Sequence, residues 1–578
     1  MHELLRRFLP PFRRKALVGI ACKAVEVAFD LITPVVIARM IDVGVATRDM
    51  GLVVRLGALL LALSVVGYGF TCVCQRLAAS VSQGIGTSVR SQLYRRINEL
   101  GAADVDAFGT PSLVTRVTND VNQVQVAVAM GVRMLVRWPL IAVGSIVAAM
   151  LIDARLGLVF LVCSPAIALV FWLVMGRSVP LFRAIQTKLD VVSRIVREAL
   201  EGVRVVRAFG REDHEEGRFV GAVRDQASTS VAVGRLSAIL SPTTFLIMNL
   251  GVVAILWAGA HRVEAGGLTQ GEIVAFVNYM TQVLISIGYV ANLVVVFTRG
   301  SASATRVMEV LDTEPRVRDG SLQGPRSTDR EVPAIEFDHV TFSYGAGDAA
   351  LTDVSFSLPQ GTSLGIIGGT GSGKSTLASL AVRLYDPSSG TVRVLGEDAR
   401  RYALAGLRRI VSIVPQHASL LSGTIRSNLG WRRAAATDDE LWQALACAQA
   451  EEFVRAKPGL LDAVVEAGGT NFSGGQRQRL TIARALVGAP GVVVLDDAAS
   501  ALDYATDARL RAALRRLPSQ PATIVVSQRV AAVMGADQLL VLDHGKVAGL
   551  GTHRQLVRSC PIYREICLSQ LRPEEVDA

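Results

Sequence analysis

An all-α transmembrane domain of six helices followed by an α/β P-loop domain is the fold class this sequence predicts, on three observations. Half of its 578 residues are hydrophobic and only 19% are charged, whereas a soluble chain of this size carries about 25% charged residues. The surplus apolar surface must face lipid, and the length exceeds what a single core holds. The composition changes near residue 300, from long apolar runs to short β-rich runs alternating with helices. The octapeptide Gly368-Gly369-Thr370-Gly371-Ser372-Gly373-Lys374-Ser375 then follows the apolar run Leu364 to Ile367, the strand-then-glycine-loop order of a phosphate cradle.

The apolar runs at about 16–41, 53–78, 132–152, 155–176, 238–260 and 271–297 are each long enough to cross a bilayer, which takes about 20 residues per helix. Basic residues orient them. Arg6, Arg7, Arg13, Arg14 and Lys15 precede the first span, and Arg90, Arg95, Arg96 and Arg116 lie between the second and third. Arg177, Arg183, Lys188, Arg194, Arg197, Arg204, Arg207 and Arg211 follow the fourth. The remaining loops hold little beyond Arg48, Arg155 and Arg262. Positive charge inside places both termini and both long loops in the cytoplasm, with the chain multi-pass in the membrane. The basic N-terminus and the long apolar run behind it, without a small-residue cleavage site, read as a first span and not a removable leader. The net charge of +10 accompanies these spans, so anionic lipid headgroups explain it better than nucleic acid.

The long loops, about 79–130 and 177–237, keep helical periodicity, interrupted around Asp106 to Ser112 and at Gly202. A membrane domain over 1–312, a polar Gly- and Pro-bearing linker over 313–333, an α/β domain over 334–570 and a tail over 571–578 are the expected divisions. Val492 to Leu495 and Ala522 to Val526 read as buried parallel strands. The seven cysteines are scattered, and Cys72 and Cys74 lie in an apolar run without neighbouring histidines; they read as small packing residues.

Backbone amides of the glycine loop and the positive end of the following helix suit the phosphates of ATP. The expected ATP-binding run is Gly368, Gly369, Thr370, Gly371, Ser372, Gly373, Lys374, Ser375 and Thr376. Lys374 would reach the terminal phosphates and Ser375 would hold Mg²⁺. Asp496 closes the apolar run 492–495 and would hold the same Mg²⁺.

With Ser473-Gly474-Gly475-Gln476 shortly before it, the chain resembles the ATP-binding-cassette (ABC) family. That run matches the family's signature motif, with Phe472 where leucine is usual; Tyr344 matches the adenine-stacking aromatic, Gln416 the Q-loop glutamine and Ser500-Ala501-Leu502-Asp503 the D-loop. Six spans ahead of one cassette resemble the family's exporter-type half-transporters over the whole chain. The resemblance implies an ATPase coupled to transport, with two cassettes facing head to tail. Each ATP then lies between one P-loop and the other chain's signature motif, so Ser473 to Gln476 serve the partner's nucleotide and Gln416 joins Ser375 and Asp496 at Mg²⁺.

Two positions depart from the family pattern. Asp497 stands where glutamate acts as general base, and Gln528 where histidine precedes Arg529. Aspartate is one methylene shorter, placing its carboxylate about 1.5 Å back, and misplacement by about 1 Å costs a factor near 100. Gln528 can hydrogen-bond a phosphate but carries no charge. The expected catalytic set, Asp497, Gln528 and Gln416, is therefore degenerate while the signature motif is intact. This resembles the degenerate-site subunit of heterodimeric bacterial multidrug exporters. The expected partners are a second, non-identical half-transporter with intact glutamate and histidine, the bilayer, and an amphipathic small-molecule substrate. Two alternatives stay open on the same residues: an exporter-fold importer of siderophore-like compounds, and an ATP-gated channel or regulatory subunit.

Lys23, Glu26 and Asp30 fall inside the first span at near-helical spacing. Charges in lipid are costly and should face the bundle interior. Glu26 and Asp30 are candidate cavity residues for a cationic substrate; a structural ion pair of Lys23 with Glu26 is the alternative. Asn249, Asn278, Gln282 and Asn292 read as helix–helix hydrogen-bonding groups.

Overall fold

The computed structural model describes residues 1–326, 329–345 and 347–576. The chain forms two compact units: one holds Met1–Asn98 with Pro111–Thr313, the other Glu99–Thr110 with everything from Glu314 onward.

The first unit is helical throughout. Its main helices are α1 (Arg13–Arg39), α2 (Met50–Glu99), α3 (Thr110–Ile152), α4 (Ala154–Glu201), α5 (Glu212–Glu264) and α6 (Gln270–Asp312). α2 to α6 are long and apolar enough to cross a membrane. α1 coincides with the expected first span but lacks that character, because Lys23, Glu26 and Asp30 interrupt its apolar surface. It buries Lys23 and Glu26 instead of exposing them. The two long loops are helical, as their periodicity predicts, and prolong the spans. The turn between α3 and α4 is held by Asp153, whose carboxylate accepts from the amides of Arg155 and Leu156 and pairs with Arg262 of α5. A buried carboxylate that caps a helix N-terminus and pairs with an arginine ties the turn to a neighbouring helix through charge-assisted hydrogen bonds.

α3 is broken at Leu135–Val136, within the expected third span. Pro139 has no amide hydrogen, so the carbonyl one turn earlier loses its helical donor. The Leu135 amide turns back five residues, to Met130. Leu135 and Val136 keep right-handed helical dihedrals, so the break lies in the hydrogen-bond ladder and not in the course of the helix, and no side chain caps the segment from Arg137.

The second unit carries three sheets. Strands β1 (Ile335–Ser343), β2 (Ala349–Leu358), β4 (Ser389–Val394) and β5 (Glu397–Asp398) make an antiparallel sheet in the order β2-β1-β4-β5. β3 (Ser363–Gly368), β6 (Val411–Val414), β9 (Val492–Asp496), β10 (Ala522–Val526), β11 (Gln538–Asp543) and β12 (Lys546–Gly551) make a second sheet, ordered β12-β11-β3-β10-β9-β6. All pairings in it are parallel except β11 with β12. β7 (Gly423–Thr424) and β8 (Val464–Val465) form a two-stranded ribbon. β9 is buried at every position, as a central strand covered on both faces must be. One core fills the space between the large sheets, and a second surrounds helix Gly474–Leu486. Phe472, the aromatic that replaces the usual leucine, is buried in that second core, with Lys457 over its ring at 4.3 Å. Helix Ala102–Phe108 belongs to this unit, where Asp104 pairs with Arg316 and Asp106 accepts from the Tyr385 hydroxyl at 2.7 Å.

Candidate functional site

Strand order brings the chemistry together. β3, β10 and β9 are adjacent and parallel, so the segments leaving their C-terminal ends emerge side by side. Parallel strands lie about 5 Å apart, and ligands of open α/β sheets bind outside those ends. The glycine loop leaves β3, Asp496 and Asp497 close β9, and Ser527 and Gln528 follow β10.

A cavity of about 380 Å³ opens there, lined by Tyr344, residues 370–376, Gln416, Asp496, Asp497 and Gln528. Sequence reading did not anticipate Ala350, Val526 and Ser527 in the same wall; the β10–β3 pairing brings in Val526 and Ser527, and β2 of the other sheet contributes Ala350. Gly368 and Gly369 contribute carbonyls that accept from Lys374 Nζ at 2.9 and 2.6 Å. Gly373 stands at φ 96° as the cap of helix Lys374–Ala381. A side chain there would be strained and would strike Leu351, so glycine is required. An added Cβ at Gly369 or Gly371 meets nothing, which leaves the loop's outer face open for an anion.

Electrostatics favour a polyanion with a divalent ion. Burial pulls the Lys374 ammonium below its usual range, against the charges of Asp497 and Asp496. Burial also pushes the Asp496 carboxyl up, while the Ser375 hydroxyl donates to it at 3.1 Å. Asp497 is likewise raised by burial, opposed by the charges of Arg529 and Lys374 and by a hydrogen bond from Gln416. A phosphate chain would relieve Lys374, and a cation would relieve the two carboxylates.

Asp497 occupies the left-handed region at φ 47°. Its amide donates to the Val526 carbonyl at 2.9 Å, and its own carbonyl accepts from Ser500. These bonds hold the backbone turn that aims the carboxylate at Gln416. Gln528 is held from behind. Its carbonyl accepts from Gln570 Nε2 at 2.8 Å, and Gln570 Oε1 accepts from the Val530 amide at 2.9 Å. Gln570 had no signal in the sequence, because its role depends on helix Pro561–Gln570 packing beside this loop. Tyr344 is half exposed; its hydroxyl bonds Thr376 at 3.1 Å and its ring stands edge-on to Phe342 and Tyr385.

Ser473, Gly474, Gly475, Gln476 and Asp503 do not line this cavity. Ser473 caps helix Gly474–Leu486: its hydroxyl accepts from the Gln476 amide and its amide donates to the Gln476 side chain. Ser473 and Gly474 are exposed, so an uncovered helix N-terminus of anion-binding type faces outward. Asp503 caps helix Tyr504–Arg515 through Thr506, and those hydrogen bonds hold its carboxyl low.

In the helical unit, Glu26 is engaged at both oxygens, by Lys23 at 2.5 Å and by Arg137. Arg137 also reaches Asp30 at 3.1 Å. Sequence spacing anticipates the Lys23–Glu26 pair; Arg137 comes from another helix. Gln282 joins helices as expected, donating to the Asp30 carbonyl and accepting from Ser145. Asn278 instead bonds its own helix.

Comparison with known proteins agrees with this construction. The family model for the ABC transporter transmembrane region matches residues 16–287, and the ABC transporter model matches residues 351–500. A Mycobacterium tuberculosis protein named as an uncharacterized ABC transporter ATP-binding protein is 38% identical over 574 residues, 98% of each chain. An ATP-dependent lipid A-core flippase of Hahella chejuensis is 30% identical over 502 residues, covering 86% of this chain and 85% of that protein. The solved structure of a bacterial Atm1-family ABC exporter with ATP bound shares the fold at TM-score 0.77 and 24% identity, over 98% of this chain and 99% of that one.

Proposed function

The chain belongs to the ABC transporter family, a membrane-spanning helical domain fused to an ATP-hydrolysing cassette, and on that premise we propose that it is the ATP-retaining half of an asymmetric exporter of amphipathic molecules. The observation that carries this reading is the make-up of one cavity wall. The loop, Lys374, Ser375 and Asp496 converge as binding groups, whereas the two positions that promote hydrolysis are Asp497 and Gln528.

In this reading the loop amides and Lys374 hold the phosphates of ATP, Tyr344 meets the adenine, and Ser375, Asp496 and Gln416 hold Mg²⁺. The ion, when bound, neutralises charge on the terminal phosphates. Asp497 holds the attacking water at a shortened reach, and Gln528 offers a neutral hydrogen bond to the terminal phosphate. This site then retains ATP and hydrolyses it slowly. The exposed signature helix beginning at Ser473, with Asp503 beside the same interface, completes a competent site on a non-identical partner. Both termini and the cassette lie in the cytoplasm, and the cytoplasmic membrane of the cell holds the spans.

Purified alone, the chain is expected to turn over ATP slowly, and Asp497→Glu with Gln528→His raises the rate in any homodimer that forms. Rapid turnover by the unmodified chain refutes the degenerate site. Uptake into inverted vesicles carrying this chain and its partner tests export. Movement only down a gradient would sink the pump reading.

A further inference from the structure

The helix break in α3 lies among groups that ATP chemistry does not use. Irregular backbone inside a span is tolerated only where protein buries it or where it lines a water-filled cavity. Charged residues cluster around this break. Lys23, Glu26, Arg137 and Asp30 form a closed network, two cations with two carboxylates. Arg133, one turn before Arg137, is a further cation. It lies within electrostatic reach of buried Cys74, as do Lys23 and Glu26. Arg133 makes no hydrogen bond or ion pair among the described residues, and its Nε is buried without a partner. On the other side of the break the indole N–H of Trp138 is buried without a partner as well. The Trp138 ring stacks on Tyr289 of α6 at 4.0 Å, and Arg137 sits over it at 5.2 Å.

The unsatisfied groups are therefore both donors, and the local charge is one positive in excess. Buried polar groups are rarely left unpaired without a reason, and these two call for an acceptor. Lys23 and Arg137 engage the two Glu26 oxygens, and Asp30 meets Arg137 through one of its own, so the two carboxylates fix the Arg137 guanidinium.

We propose that the α3 break, with Arg133, Arg137 and Trp138, is the headgroup subsite for an anionic amphipath, a phosphate or carboxylate carried on an apolar body. This deepens the exporter reading and rests on it for the word substrate; the binding site itself can be tested without transport.

The test is equilibrium binding to the full chain in nanodiscs of neutral phosphatidylcholine, read by intrinsic tryptophan fluorescence. Dodecyl phosphate, dodecyltrimethylammonium and inorganic phosphate are the probes, with Trp138→Phe identifying the reporting residue. Dodecyl phosphate should bind at least tenfold more tightly than either other probe, with the signal lost in Trp138→Phe. Arg133→Gln should weaken it about tenfold, as expected for one charge-assisted hydrogen bond, and Arg133→Lys should retain most of the affinity. Arg133→Gln strands no partner, so it leaves the fold intact; Arg137→Gln would orphan two carboxylates and is the wrong probe. Nanodiscs containing phosphatidylglycerol distinguish the source: competition with dodecyl phosphate assigns the site to a membrane lipid, and its absence to a free amphipath. Tighter binding of the cationic probe, or affinity unchanged by Arg133→Gln, overturns the proposal. If dodecyl phosphate binds as described but is not pumped in vesicles, the exporter reading fails and the site stands. If cationic compounds are pumped while dodecyl phosphate does not bind, the reverse holds.

Discussion

At the scale of single residues, Asp497 combines a chemical and a conformational departure. Its φ of 47° lies where aspartate and asparagine are better tolerated than longer side chains, since a short polar side chain bonds locally. Asp497→Glu is therefore expected to lower stability by about 1 kcal/mol while raising ATP turnover, opposite signs that thermal melts and a phosphate-release assay read on one preparation. Protonation gives a second test. Burial raises the carboxyls of Asp496 and Asp497 above 3.8, their usual value. The folded protein thus keeps protons that the unfolded chain has released. That contribution is present at low pH and is lost as pH rises from about 4 through the raised values. Nucleotide-free wild type should accordingly lose stability relative to Asp497→Asn across that window, as melting temperatures measured at successive pH values would show; a wild type that gains stability relative to the variant as pH rises contradicts the sign.

At the scale of elements, helix Pro561–Gln570 acts on a loop far away in sequence. Gln570 bridges the Gln528 carbonyl and the Val530 amide, so it fixes the backbone that presents Gln528. Gln570→Ala removes two neutral hydrogen bonds, each contributing about 1 kcal/mol. The expected outcome is faster hydrogen exchange at Val530 and a several-fold loss of ATP affinity, with the cassette fold retained. Unchanged exchange at Val530 would show that the loop holds itself. The element pattern was legible beforehand to different degrees. α2 to α6, β3, β9 and β10 announce themselves through local periodicity and unbroken apolar runs. α1 was legible as a helix, although its charges keep it from the composition of a lipid-facing span. The break in α3 was not read from sequence, though Pro139 is its local cause; a proline near a span end is indistinguishable from an ordinary boundary signal.

At the scale of the whole molecule, charge sets the expected orientation. The positive loops predict that a single cysteine at Arg48, in a cysteine-free background, reacts with an impermeant maleimide from outside intact cells. One at Arg204 should react only after permeabilisation. The reverse labelling would invert the topology and remove the cassette from its ATP supply.

The sequence alone determined two kinds of thing: the local elements, and the motifs whose chemistry is complete within a few neighbouring residues. The glycine loop with Lys374 and Ser375, the signature cap at Ser473, and the Lys23–Glu26 pair are all of this kind. Only the tertiary structure decided which distant groups meet. The strand order puts Asp496, Asp497 and Gln528 around one cavity with the loop. Helix packing gives Gln528 its Gln570 support, closes Arg137 on Glu26 and Asp30, and leaves Arg133 and Trp138 with unsatisfied donors. The physical reason is range. Periodicity and capping act within a turn or a strand, whereas burial and pairing across hundreds of residues depend on a chain path that no local pattern encodes.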